Sequence, residues 1–147
     1  MTFRLTCCAN PSPADREAVL APLRAYNIAQ AGDPHIRQVA ILVTADDGTT
    51  SGGLWGRISY DWLFIELLGL PETLRGHGLG RALMQQAEDI AREAGCAGIW
   101  LDTYEFQARG FYEKLGYGLF GELPDHPAGM KRYFLMKRLL VPDPKEP

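Results

Sequence analysis

The sequence predicts a mixed α/β fold in which helices cover a single sheet without strictly alternating with its strands. Two observations support this. Apolar, β-branched runs of strand length and stretches of helical periodicity follow one another in the order β, α, three strands, α, β, α, β, β. One strand-to-helix junction, Pro71 to Arg81, also carries glycines at the alternate positions Gly76, Gly78 and Gly80, where the chain must turn tightly.

Phe3 and Leu5 alternate with Arg4 and Thr6 and predict a short first strand, broken by Asn10-Pro11-Ser12-Pro13. Ser12 is placed to cap a helix from about Pro13 to Ala31, with Pro13 at its first position, Asp15 and Glu17 in its first turn and Gly32-Asp33-Pro34 as its stop. Ile36 to Ala45 and Thr49 to Tyr60 read as two strands of a hairpin about Asp46-Asp47-Gly48. Gly52, Gly53 and Gly56 inside the second of them predict bulging or close backbone approach. Trp62 to Leu70 is a central strand, apolar on both faces except for Glu66.

From Gly78 to Glu93, Leu79, Ala82, Leu83, Ala87, Ile90 and Ala91 recur at helical spacing, with Arg81, Gln85, Glu88, Asp89 and Arg92 on the other side; Gly95 ends the helix. Ala97 to Thr103 is a strand and Phe106 to Leu115 a short helix stopped by Gly116. Tyr117 to Glu122 and Tyr133 to Leu140 are two last strands joined by the turn-rich stretch from Leu123 to Gly129, and the tail from Pro142 to Pro147 is expected to be loose.

The 147 residues suit one domain, 1–147, with no linker, repeat or second substrate domain. A net charge of -3, with the basic residues scattered apart from Lys131, Arg132, Lys137 and Arg138, argues against a nucleic-acid partner, whose phosphates demand a basic face. No apolar stretch reaches membrane-spanning length and no leader pattern opens the chain, so a cytoplasmic protein without a membrane partner is expected. Cys7, Cys8 and Cys96 form an odd set without metal-ligand spacing, and His35, His77 and His126 are scattered in loops, so no metal site is expected.

The glycine-rich junction is where chemistry concentrates. Successive N–H groups can converge there at the positive end of the following helix, a place for an anion, and Arg75 and Arg81 flank it with donors suited to phosphate. Two familiar phosphate loops fail on spacing. A Walker loop needs Lys and then Ser or Thr, but the chain reads Gly80-Arg81-Ala82; a dinucleotide fingerprint needs a third glycine where Arg81 or Leu83 stands.

Two motifs together resemble the GNAT superfamily of acyl-CoA-dependent N-acyltransferases, and the likeness extends over nearly the whole chain. One is Arg75-Gly76-His77-Gly78-Leu79-Gly80 between strand and helix; the other is Ala108-Arg109-Gly110-Phe111-Tyr112-Glu113-Lys114-Leu115-Gly116-Tyr117. The resemblance implies a mostly antiparallel central sheet of six to seven strands with a splayed central strand pair. It implies acetyl-CoA as co-substrate, its pyrophosphate held by Gly76, Gly78, Leu79, Gly80 and Arg81, with Arg75 and His77 in the same loop. The pantetheine arm would pair with backbone groups of Leu68, Gly69 and Leu70, with a bulge at Gly69, and an N–H at or near Leu68 would hold the oxyanion.

The resemblance also implies Tyr112 as the acid that protonates the departing thiolate, and Glu66 as the base that frees the amine's lone pair. A packed core tyrosine and a salt-bridged surface glutamate are the plain structural alternatives. Many members carry Asn near the start of the second-motif helix; here the stretch is Thr103-Tyr104-Glu105-Phe106-Gln107, so Gln107 or Glu105 would substitute. For the acceptor, Tyr26, Trp55, Tyr60, Asp61 and Trp62 offer flat walls and a carboxylate suited to a small cationic amine, although core packing explains the tryptophans equally well. The reaction expected is acetyl transfer to a primary amine of a small molecule by direct attack in a ternary complex, with a homodimer as the expected assembly. A non-catalytic acyl-CoA-binding module, a binder of another phosphate ligand and an acetyltransferase of protein N-termini or lysines are the alternatives.

Overall fold

The computed structural model describes residues 1–139. The chain forms two compact units, one ending at Pro34 and one beginning at His35. The first holds α1, Pro13–Ala31. Its start is a reciprocal cap: Asp15 N–H donates to Ser12 Oγ at 3.1 Å, and Ser12 N–H donates to Asp15 Oδ2 at 2.8 Å. The Ser12 N–H and then its hydroxyl, both donating to the Asp15 carboxylate, hold that carboxyl below its usual range. Gly32, at φ 82°, returns its N–H to the Ile28 carbonyl and ends the helix. Residues 1–8 form no strand, which corrects the expectation for Phe3 and Leu5. Two alternating apolar residues offer too little burial to hold a strand, and among the described residues the paired strands begin at Arg37.

The second unit holds the sheet, with strands β1 (Arg37–Thr44), β2 (Thr50–Ser59), β3 (Trp62–Gly69), β4 (Gly98–Tyr104), β5 (Gly118–Leu123) and β6 (Arg132–Arg138), and the helices α2 (Leu79–Glu93) and α3 (Arg109–Lys114). A 3-10 turn, Glu72–Leu74, precedes α2. The strand order is β1-β2-β3-β4-β6-β5. Only β3 and β4 run parallel, because α2 carries the chain back across the sheet between them. Among the described residues the sheet has six strands and is mostly antiparallel, as the resemblance implied.

One face of the sheet and the inner side of α2 form a single core that includes Leu54, Leu63, Ile99, Leu101 and Leu135 from the strands and Met84, Ala87 and Ala91 from the helix. Each large member contributes about 2 kcal/mol by leaving water. The helix deviates from its expected face in one place: Glu88, expected on the polar side, is 4% exposed, whereas Ala82 is exposed. Met84, Glu88 and Ala91 stand at i, i+4 and i+7, so the carboxylate shares the core stripe.

The glycines of β2 permit close approach, as expected. A Cβ on Gly52 would run into the Gly69 carbonyl, one on Gly53 into that of Ile41 and one on Gly56 into that of Phe64. The bulge, however, lies at Glu66 and not at Gly69. Gly56 pairs with Ile65 and Trp55 with Leu67, leaving Glu66 as the extra residue, while Gly69 stays in register with Gly53. The cause is the hydrophobic pattern. Ile65 and Leu68 both belong to the core, and residues three apart on a strand reach the same face only if one is inserted between them.

The expected helix Phe106–Leu115 begins only at Arg109, because the Gln107 side chain folds back to accept from Tyr104 N–H at 2.8 Å and Thr103 Oγ1 at 3.1 Å. That closes a turn where the helix would have started. Leu140 and the tail from Pro142 to Pro147 lie outside the described residues. Among the described residues no helix is long and apolar enough to cross a membrane.

Candidate active site

The site begins where β3 and β4 part. Their pairing runs from Trp62–Gly98 to Ile65–Leu101 and stops, although β3 continues to Gly69 and β4 to Tyr104. Beyond that point β3 still pairs with β2, from Leu67 to Gly69, so its other edge is open toward β4. Alternate residues of a strand turn their N–H and C=O groups to opposite edges, and part of the backbone between Glu66 and Gly69 therefore faces the gap. An extended ligand can add there as a strand would. The bulge at Glu66 is the local cause of the divergence, since an extra residue bends and twists its strand.

The open end leads directly into the glycine loop. Gly76 and Gly78 have φ of 78° and 79°, and a Cβ on either would meet nothing within 4 Å. The first two glycines are therefore required by backbone conformation and leave the surface clear for a ligand. Inside the loop, Leu74 N–H bonds the Pro71 carbonyl and Arg75 N–H that of Glu72. Gly78 caps α2 without a side-chain bond. Among the described residues the amides of Gly76, Gly78, Leu79, Gly80 and Arg81 donate to no protein group. These are the unsatisfied donors at the positive end of a fifteen-residue helix. His77 and Arg81 are exposed beside them. Arg75 is partly engaged: its Nε donates to the Leu70 carbonyl at 3.1 Å, which ties the loop to the end of β3.

Gly80 plays a different part. A Cβ there would stand 3.3 Å from the Phe111 ring and 3.9 Å from Leu70, so its absence lets the first turn of α2, the end of β3 and the second motif meet. Phe111 packs edge-on against Tyr112 at 5.1 Å, and Tyr112 against Tyr117 at 6.3 Å. Tyr112 is 8% exposed. Burial, and then the carboxylate of Asp102 just past the last β3–β4 pair, pushes its phenol up to about 12. The phenol is thus a neutral donor at any physiological pH. Asp102 itself is held by Arg132 at 2.7 Å, and the Arg132 guanidinium also lies over the rings of Tyr104 and Phe134.

Several residues singled out in the sequence converge here: Leu68, Gly69, Leu70 and Glu66 on the splayed strand, the loop from Arg75 to Arg81, and Tyr112 behind Phe111. Glu66 is exposed at the bulge. Beside it, Leu42, Gly52, Gly53, Leu54, Trp55, Leu67 and Gly69 line a cavity of about 260 Å³. Gln107 has its side-chain oxygen committed to the Thr103–Tyr104 backbone turn, which leaves its amide N–H₂ for a ligand.

Asp61 and Trp62 are not brought to this end. Trp62 opens β3, four residues before Glu66 or about 13 Å along the strand, and Asp61 lies in the turn just before it. Trp62 lines a separate cavity with Tyr60, Trp100, Phe120 and Met136. Tyr26 lies on α1, in the first unit. Phe111 and Asp102 escaped the sequence reading as site residues. The signal for Phe111 was present in the second motif, but no local pattern marks Asp102.

An open parallel strand pair, free amides at its carboxyl end and a buried phenol beside it therefore meet at one end of the sheet. Residues 5–117 match the Acetyltransferase (GNAT) family, and the chain belongs to it. It is 38% identical over 128 residues to an acetyltransferase from Agrobacterium fabrum, covering 85% of this chain and 93% of the relative. It is 36% identical over 126 residues to the blasticidin-S acetyltransferase of Streptomyces morookaense, covering 85% and 91%. A solved chain from Agrobacterium tumefaciens superposes with a TM-score of 0.85 at 35% identity, over 95% of this chain and 100% of that one. The protein is an acyltransferase, as its motifs implied.

Proposed function

We propose that the protein transfers an acetyl group from acetyl-CoA to a primary amine of a small molecule by direct attack within a ternary complex. The observation that carries this reading is the alignment, at one end of the sheet, of free loop amides, an unpaired strand edge and the Tyr112 phenol. The pyrophosphate would be held by the amides of Gly76, Gly78, Leu79, Gly80 and Arg81, with His77, Arg81 and the remaining donors of Arg75 at its rim. The pantetheine arm would lie along Leu68, Gly69 and Leu70, with the Gln107 amide N–H₂ beside it. A strand N–H at or near Leu68 would hold the oxyanion.

Glu66 would take a proton from the ammonium acceptor, whose nitrogen then attacks the thioester carbon. The tetrahedral intermediate gives the surplus proton on its nitrogen to solvent and collapses with cleavage of the C–S bond, while the Tyr112 O–H donates a hydrogen bond to the departing sulfur. A thiol titrates near 8.5, roughly 3.5 units below the phenol at about 12. The phenol therefore steadies the thiolate by a hydrogen bond, and solvent delivers the last proton. Trp55, Leu42 and Leu67 would form the apolar wall of the acceptor cavity, whose 260 Å³ suits a small group. The relative named for blasticidin S supports a small-molecule acceptor.

The test is acetyl-CoA-dependent thiol release across a panel of amines that includes blasticidin S, streptothricin, polyamines and amino acids. Turnover with at least one small amine is expected. Tight acetyl-CoA binding without release for any of them, or release only with peptides, would replace this reading with a regulatory module or a protein acetyltransferase. Within the active pair, Glu66→Gln is expected to move the acid limb of the rate profile; an unmoved limb removes Glu66 from the mechanism.

A further inference from the structure

The helix that carries Tyr112 has six residues, too few to hold itself by internal hydrogen bonds. Its carbonyl end is gripped from elsewhere. Lys137, on β6, donates its Nζ to the Leu115 carbonyl at 2.8 Å and pairs with Glu88 of α2, which is 4% exposed. The same ammonium stands 5.7 Å from the Tyr117 ring centroid. Leu115 and Tyr117 both donate their N–H groups to the Tyr112 carbonyl, at 3.0 and 3.1 Å. The turn between them is Gly116, where a Cβ would stand 3.4 Å from Lys137 Cε. One lysine therefore holds the peptide segment that follows Tyr112 and bonds its carbonyl.

An ion pair with its carboxylate buried and its ammonium half-buried is poor material for stability alone, since an apolar pair of similar size is often as good or better. Its use here is geometric. A phenol that must meet one sulfur atom tolerates little displacement, and a misplacement of about 1 Å can cost ~100-fold in rate. We propose that Lys137 and Glu88 are positioning residues for the reaction: the pair clamps the end of α3 and so aims the Tyr112 hydroxyl into the gap between β3 and β4. The proposal rests on the reading of Tyr112 as the donor to the leaving thiolate.

The test combines steady-state kinetics with thermal denaturation for Lys137→Met, Glu88→Leu/Lys137→Met, Tyr112→Phe and Tyr112→Phe/Lys137→Met. Lys137→Met is expected to lower kcat roughly 10-fold or more while KM for acetyl-CoA stays within about 2-fold. The Glu88→Leu/Lys137→Met pair removes both charges and is expected to recover the melting temperature but not kcat, which separates aim from stability and covers the case in which Lys137→Met alone fails to fold. In the Tyr112→Phe background, Lys137→Met is expected to add almost nothing, because the two act through one group.

Full kcat in the Glu88→Leu/Lys137→Met pair, or an effect of Lys137→Met that multiplies that of Tyr112→Phe, would overturn the clamp while leaving Tyr112 in place. A fully active Tyr112→Phe would instead remove the donor role, and the clamp with it.

Discussion

The glycine loop and α3 lie against each other through Gly80 and Phe111 yet work by opposite means. The loop presents main-chain donors on an open surface, and its important residues are defined by side chains they lack. The second motif presents one side chain, sunk in the core, on a helix whose carbonyl end is held by Lys137 of β6 and, through it, Glu88 of α2. Binding a diphosphate needs many donors of ordinary strength, each replaceable by water or by its neighbour. Steadying one departing sulfur needs a single donor whose position is over-determined. The two regions should therefore fail differently when altered, the loop in affinity and the helix in rate.

The sharpest break in that contrast is Tyr112→Phe. It is expected to lower kcat by ~100-fold or more, the usual range for a preorganised hydrogen-bond donor at a developing negative charge, with KM for acetyl-CoA nearly unchanged in steady-state kinetics. A raised KM at constant kcat would reverse the assignment of roles. Next comes Gly78→Val, which forces a β-branched residue to φ 79°. The strain, with the blocked approach of the phosphate, should weaken acetyl-CoA binding about 10-fold or more by calorimetry while kcat at saturation survives.

Gly80→Ala probes the junction itself. The added methyl meets the Phe111 ring at 3.3 Å, so a loss of about 1 kcal/mol in a denaturant titration is expected, together with a modest fall in kcat from a displaced Tyr112. Arg81→Ala should be milder still, with about 3-fold weaker acetyl-CoA binding, because the amide of residue 81 remains and only an exposed charge is lost. The smallest effect is a null one. An acid whose phenol is raised to about 12 keeps its proton as pH rises. Loss of the donor should begin only near that value, so no alkaline fall in kcat below about pH 10 is expected from this group. A decline in kcat centred near pH 8, absent in Tyr112→Phe, would place the phenol in a different environment.

Much of this was legible in the chain before folding. The Gly76, Gly78 and Gly80 spacing, the second motif about Tyr112, and the cap at Ser12 all act over a few residues, so the sequence carries them directly. The departures arose where distant segments compete. Phe3 and Leu5 alternate like a strand but find no partner strand. Gln107 sits at helical spacing but spends its side chain on the turn before α3. Asp61 and Trp62 look like acceptor walls, yet they stand at the opposite end of β3 from the glycine loop.

The sequence by itself determined the local devices: where glycines mark the tight turn, which helix begins with bare amides, and which tyrosine stands in a recognisable motif. These depend on φ, ψ and neighbours within a turn, where chemistry and position coincide. Only the tertiary structure decided that the extra residue of β3 is Glu66, that β3 and β4 separate after Ile65, and that Glu88 turns inward to meet Lys137. The first two follow from filling one core with Ile65 and Leu68 together, and the last from a charge whose partner lies on another strand. No local pattern encodes contacts that exist only once the sheet has closed around them.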